Sequence, residues 1–103
     1  MTSIEELIKQ IKSYNSNADF DLIKKSYNYG FNAHKGQYRA SGEIYFTHPV
    51  EVAKILIDLK LDESTIKTAL LHDTIEDTSR SLKQLELAFG KEVSQLVDGV
   101  TKL

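Results

Sequence analysis

The sequence contains no cysteine and only one proline. Without cysteine, the 103-residue chain has no disulfide bonds, thiolate metal sites or thiol catalysis. The lack of cysteine also agrees with a reducing compartment, and we expect a cytoplasmic location. A single proline and five glycines, spread along the chain, argue against disorder and against collagen-like repeats. The composition therefore predicts an ordinary globular chain.

Long apolar runs and long basic runs are missing as well. The apolar runs extend over only a few residues, which is too short to cross a bilayer. The acidic, amphipathic N-terminus does not have the basic start of a secretory signal. The net charge is -2, from 13 Lys and Arg against 15 Asp and Glu. We therefore expect no binding to DNA and none to a membrane surface.

Apolar residues recur at helical spacing over most of the chain, and the length allows one domain over residues 1–103. The pattern predicts six helices, at about residues 4–14, 19–35, 49–59, 63–73, 81–90 and 91–103. Residues 74–80 are predicted as a loop or short turn, and the only strand candidate is residues 43–46. The predicted fold class is therefore all-α, a compact bundle of about five to six helices.

Two histidines and an aspartate come from different predicted helices. His48 stands just before Pro49, at the start of the third helix, and His72 and Asp73 end the fourth. Consecutive helical residues point about 100° apart, so His72 and Asp73 can reach one ion only at the flank or end of their helix. Two imidazoles and a carboxylate suit a divalent transition metal. We predict His48, His72 and Asp73 as metal ligands.

Two further carboxylates follow at Glu76 and Asp77. Carboxylates beside a metal can activate or orient an attacking water, so we predict catalytic roles for both. Simpler alternatives remain open: a surface hydrogen bond within the His–Asp pair, a solvated acidic loop, and His48 as a helix cap. His34, near the end of the second helix, fits a structural or ligand-facing role better than metal binding.

Longer segments carry a more specific pattern. They are AHKGQYR at 33–39, YFTHPVEVA at 45–53, ALLHDTIEDT at 69–78, FGKEV at 89–93 and VDGVTKL at 97–103. In this order they resemble the N-terminal hydrolase domain of the RelA/SpoT homologues, a branch of the HD-domain metal phosphohydrolases. The resemblance runs from about residue 25 to the last residue, and the segment around His72 is its most specific part.

The resemblance implies a helical metal enzyme that removes the 3′-pyrophosphate from guanosine tetra- and pentaphosphate, with Mn²⁺ as the preferred ion. It implies the same three ligands, and Glu76 and Asp77 as the pair that handles the attacking water. Arg39 and Ser41 match loop positions that contact the guanine nucleotide. Lys35, together with Arg39, offers positive charge to the phosphates.

The sequence also departs from the family pattern. The fourth metal ligand of the family, an aspartate, and an asparagine near it lie downstream of Leu103, and the lysine that often follows the loop arginine is Ala40 here. We expect a weaker ion site, completed by water. Three other functions stay open: a catalytically impaired fragment that binds metal or nucleotide, a phosphohydrolase acting on another nucleotide, and an interaction module.

The last predicted helix carries one apolar stripe. Its members recur at helical spacing and are Val93, Leu96, Val97, Val100 and Leu103. An uncovered stripe of this kind usually meets a partner, and a second copy of the chain is the simplest one. We therefore predict a homodimer, or a concentration-dependent oligomer, built partly on residues 93–103. The alternative is a monomer in which the stripe packs on the third and fourth helices.

Overall fold

The computed structural model describes residues 1–102 and confirms the all-α fold class. These residues form six helices of eight residues or more and one single helical turn. The elements are α1 (Ile4–Lys12), α2 (Phe20–Ala33), α3 (Thr47–Asp58), α4 (Glu63–Leu71), α5 (Thr74–Asp77), α6 (Leu82–Phe89) and α7 (Lys91–Thr101). No helix within residues 1–102 has the length and apolar character needed to cross a membrane.

Four of these helices begin at a residue whose side chain accepts a hydrogen bond from the first helical turn. This contact satisfies one of the backbone N–H groups that have no partner inside the helix. Ser81 and Gln84 form a reciprocal capping box, in which each side chain accepts from the backbone N–H of the other residue. The four caps are Ser3 for α1, Asp19 for α2, Asp62 for α4 and Ser81 for α6.

Several element boundaries differ from the sequence-based prediction, and the differences at α3, α4 and α5 concern the candidate site. Helix α3 begins at Thr47, so His48 lies inside its first turn. Proline fits there because the first N–H groups of a helix have no internal partner. Helix α4 ends at Leu71, and residues 74–77 form a helical turn. Residues 43–46, the only strand candidate in the sequence, form no strand: within residues 1–102 an isolated bridge joins Tyr38 and Ile44.

The early end of α4 has a local cause. The Thr74 hydroxyl donates to the carbonyl of Leu71 at 2.7 Å, and His72 Nδ1 lies 2.6 Å from the carbonyl oxygen of Ala69. These side chains occupy carbonyls at the end of the helix, which otherwise have no internal partner. The chain therefore turns at His72 and Asp73 and restarts as α5.

Two separate hydrophobic clusters stabilise the fold. The larger cluster holds helices α1, α2, α3 and α4 together. It consists of Leu7, Ile11, Ala18, Ile23, Tyr27, Phe46, Val50, Ala53, Ile57, Ile66, Ala69 and Leu70. The smaller cluster consists of Leu71, Leu85, Val93 and Val97. Because Leu70 belongs to one cluster and Leu71 to the other, the end of α4 lies at the boundary between them.

The apolar stripe of α7 is partly covered by the chain itself. Val93 and Val97 are buried in the smaller cluster, whereas Leu96 and Val100 each remain 42% exposed. Leu103 lies outside the described residues. Two of the four described members of the stripe therefore have partners within the chain, and the homodimer remains a prediction.

Candidate metal centre

The fold brings the three predicted metal ligands together. One ligand atom from each of His48, His72 and Asp73 lies within 4.8 Å of the other two, and all three residues are half-buried. His72 Nε2 is 3.2 Å from Asp73 Oδ2, and the rings of His48 and His72 are 5.8 Å apart. Two imidazole nitrogens and a carboxylate at these separations suit one divalent cation.

The geometry of the helix end explains how two consecutive residues can reach one point. His72 follows the last residue of α4, and Asp73 precedes the first residue of α5. Helix α3 packs against α4 and carries His48 to the same place. The sequence-based expectation that such a pair needs a helix end is met here.

The orientation of His72 fits metal binding. A carbonyl oxygen can only accept, so the contact of Nδ1 with the Ala69 carbonyl assigns the ring proton to Nδ1. In the neutral ring, Nε2 then carries the lone pair, and it lies 3.2 Å from Asp73 Oδ2. Histidine ligands in metalloproteins usually donate their second N–H to such a partner, which fixes the tautomer and the ring direction.

Tyr45 joins this centre, although the sequence analysis did not single it out. Its hydroxyl donates to Asp73 Oδ2 at 2.7 Å and lies 3.2 Å from Asp77 Oδ2. Burial raises the pKa of the Tyr45 phenol, and the neighbouring Asp73 and Asp77 carboxylates raise it further. The phenol therefore stays protonated at neutral pH and acts as a donor. Its position three residues before His48 was the available sequence signal.

A second contact joins the loop after α2 to the α5 turn. Gln37 Nε2 donates to the backbone carbonyl of Asp77 at 2.5 Å, and Gln37 Oε1 is 3.0 Å from His34 Nδ1. His34 is only 2% exposed, and its ring lies 4.8 Å from that of Tyr45. Together with Tyr45, Gln37 holds the α5 turn at two points.

The predicted water-handling and substrate-binding residues are mostly exposed. Glu76 and Asp77 are exposed on α5, and Tyr45 reaches only the second of them. Arg39 Nη1 forms an ion pair with Glu51 Oε2 at 3.5 Å. In the same loop, Ser41 donates to Glu43 at 3.2 Å. Within residues 1–102, Arg39, Ser41 and Lys35 form no hydrogen bond or ion pair with the three ligands.

Lys35 lines one cavity, and the candidate ligand His72 lines another. One, of about 140 Å³, is lined by Lys35 and His34 and by the rings of Phe31, Tyr38 and Phe46. The other, of about 280 Å³, is a mainly apolar groove between α3, α4 and α7, and His72 forms part of its wall. Of the three candidate ligands, His72 thus lies beside a surface groove.

Comparison with known proteins adds three findings. A family model described as an HD domain matches residues 26–103. The GTP pyrophosphokinase of Myxococcus xanthus is 56% identical over 93 residues, which are 90% of this chain and 12% of that protein. The bifunctional (p)ppGpp synthase/hydrolase SpoT of Escherichia coli K12 is 46% identical over 103 residues, which are 100% of this chain and 15% of that protein.

Beyond these three findings, a solved structure is also similar to the chain. The solved structure of a metazoan ortholog of SpoT, described as hydrolysing ppGpp and acting in starvation responses, is similar with a TM-score of 0.72. It is 32% identical, and the match covers 79% of this chain and 49% of that one. The chain therefore spans a small part of the curated relatives and about half of the solved one.

Proposed function

The chain belongs to the HD-domain family and is homologous to the RelA/SpoT proteins, and we propose that it carries the metal site of a guanosine-3′,5′-bis(diphosphate) 3′-pyrophosphohydrolase. One observation supports this most strongly. The ligand atoms of His48, His72 and Asp73 lie within 4.8 Å of one another, and the acidic α5 turn begins directly after Asp73. The proposed substrate is a guanosine tetra- or pentaphosphate, and the proposed ion is Mn²⁺.

The residues present fit a divalent cation, because two nitrogens and a carboxylate oxygen form a common donor set for it. His48, His72 and Asp73 would hold the ion, and when bound it polarises phosphate oxygens and lowers the pKa of water. Asp77 and Glu76 orient the attacking water and accept its proton. Gln37 contributes by holding the backbone at Asp77.

Positive charge for the phosphates comes from the loop after α2. The Arg39–Glu51 pair is partly exposed, with side chains 36% and 58% accessible, and its atoms are 3.5 Å apart. Such pairs contribute little stability, so the guanidinium can exchange Glu51 for a phosphate group. Lys35 is exposed and adds a second charge, and the Ser41 hydroxyl adds a hydrogen-bond donor.

The metal assignment is tested by calorimetric titration with Mn²⁺. We expect the parent chain to bind one ion and Asp73→Asn and His72→Ala to lose most of that affinity while keeping their helical circular dichroism. Asp98→Asn is the matched control, since Asp98 is a half-buried carboxylate on α7, paired with Lys102. Equal affinity in the parent and in His72→Ala would contradict the assignment.

The hydrolytic assignment is tested by release of pyrophosphate from guanosine tetraphosphate with added Mn²⁺. Glu76→Gln and Asp77→Asn should lower the rate by about 10²–10⁴-fold, with the ion still bound. Glu86→Gln, an exposed position on α6, is the control. A parent that binds ion and nucleotide without turnover would support the impaired binding module instead. Competition with other nucleotides would identify a different substrate.

We also propose that the exposed part of α7 joins two copies of the chain. Leu96 and Val100 are each 42% exposed on the same face. Light scattering over a wide concentration range should show mass above that of a monomer, and Leu96→Asp with Val100→Asp should reduce it. A constant monomer mass in both proteins would refute this interface.

A further inference from the structure

We infer that Tyr45 is a positioning residue, which holds the metal-ligating Asp73 and the water-handling Asp77 in fixed relation to each other. The inference rests on the proposed function and adds a residue to it. Its basis is one hydroxyl within hydrogen-bond distance of both carboxylates, which belong to different parts of the proposed chemistry.

The two contacts are unequal. The hydroxyl lies 2.7 Å from Asp73 Oδ2 and 3.2 Å from Asp77 Oδ2. A phenol has one O–H, so Asp73 receives the main hydrogen bond and Asp77 the weaker branch. A carboxylate offers about four lone-pair directions, so Asp73 can accept from the phenol and still bind an ion. Tyr45 therefore orients a ligand without competing for it.

The phenol ring is held independently of any ion. It lies 4.8 Å from the His34 ring and 6.2 Å from the His48 ring. The backbone N–H of Tyr45 donates to the carbonyl of Gln37 at 2.9 Å, and the next residue, Phe46, is almost completely buried in the larger cluster. The hydroxyl thus has a defined position before an ion arrives.

The two carboxylates need such a link. Asp73 and Asp77 are four residues apart, which places them on one side of a helical turn, where like charges repel. A shared donor reduces that repulsion and fixes the distance from the ligand to the proton-accepting group. Removing the hydrogen-bond partner of a metal ligand by mutation typically lowers metal affinity or activity by about 10–100-fold.

The test compares Tyr45→Phe with Tyr38→Phe. Phenylalanine keeps the ring between the two histidines and removes only the hydroxyl, so the fold should be retained, which circular dichroism checks. Tyr38 is in the same loop and 66% exposed, which makes it a matched control. We expect Tyr45→Phe to bind Mn²⁺ about 10–100-fold more weakly than the parent, and Tyr38→Phe to bind it equally well.

A second readout separates positioning from general stability. At saturating Mn²⁺, Tyr45→Phe should lower kcat for guanosine tetraphosphate and leave KM nearly unchanged, because the hydroxyl is directed at the two carboxylates. In the Asp77→Asn background, the same substitution should lower kcat by a smaller factor, since its partner is already altered.

The possible results distinguish this inference from the proposed function. If Tyr45→Phe matches Tyr38→Phe in Mn²⁺ affinity and in kcat, the inference is overturned while the proposed function stands. If the parent binds Mn²⁺ but releases no pyrophosphate, the proposed function fails, and the affinity ratio still decides the role of Tyr45. A parent that binds no Mn²⁺ at millimolar concentration would overturn both.

Discussion

The two hydrophobic clusters differ in what they hold together. The larger one contains twelve buried residues and joins four helices, whereas the smaller one contains four and attaches α6 and α7 to the end of α4. His48 lies in α3, close to Val50 of the larger cluster, and Tyr45 precedes Phe46 of the same cluster. His48 and Tyr45 are therefore supported by the better-packed part of the chain, whereas His72 and Asp73 follow Leu71 of the smaller cluster.

This difference suggests how stability is distributed. Parts of a protein with few buried apolar contacts open at lower free energy than the rest. We expect α6 and α7 to open before α1 to α4, with His48 and the Tyr45 loop remaining in place. Three pairs of substitutions, one member in each part of the chain, test this difference.

The largest effect is expected from deleting core leucine side chains. Leu70 and Leu85 are both completely buried, in the larger and smaller cluster respectively. Each change to alanine should cost about 2–5 kcal/mol in the free energy of unfolding, as for other buried leucines, with Leu70→Ala nearer the upper value. Urea unfolding measures the cost, and Mn²⁺ titration should show a loss for Leu70→Ala only. Equal loss of Mn²⁺ binding in both variants would contradict the proposed separation.

The second pair is Gly30→Ala and Gly99→Ala. A Cβ at Gly30 would lie 2.5 Å from Phe46 Cε1 and 2.7 Å from the Leu70 carbonyl oxygen, while one at Gly99 would meet nothing within 4 Å. Gly30→Ala should therefore lower stability by about 1–3 kcal/mol through overpacking. Gly99→Ala, within α7, should raise stability by about 0.4–1 kcal/mol, because alanine leaves the unfolded chain less conformational entropy than glycine does. The thermal midpoints should shift in opposite directions, and a shift of the same sign would count against this account.

The smallest effect concerns two helix caps, Asp62 before α4 and Ser81 before α6. Hydrogen bonds from the Thr65 side chain and backbone N–H hold the pKa of Asp62 below its ordinary value of 3.8. Because the pKa of Asp62 is lower in the folded chain than in the unfolded chain, the ionised carboxylate stabilises the fold fully at pH values above 3.8. This contribution is lost as the pH falls through the folded value.

Asp62→Ala should thus cost about 1 kcal/mol at pH 7 and less near pH 3, while Ser81→Ala should cost about 1 kcal/mol at both. Denaturant unfolding at the two pH values measures the difference. A cost for Asp62→Ala that does not change with pH would show that the ionised cap does not contribute as described.

Much of the helical architecture could be predicted from local patterns. The caps at Asp62 and Ser81, the stop at Gly90 and the apolar spacing all act within about four residues, so they are visible in the sequence. His72 and Asp73 are adjacent in the sequence, so their closeness could be predicted as well. The boundary at Thr47 was missed because proline is tolerated at several positions of a first turn.

Other features depended on contacts between distant residues. Tyr45 reaches Asp73 across 28 positions, and Gln37 reaches Asp77 across 40. Local periodicity carries no information on such pairs, because their distance follows from how α2, α3 and α4 pack. The split of adjacent Leu70 and Leu71 between two clusters has the same origin. Most of the helices and the types of the candidate ligand residues could thus be predicted from the amino-acid order, whereas packing alone placed a donor between two carboxylates and gave the candidate site its geometry.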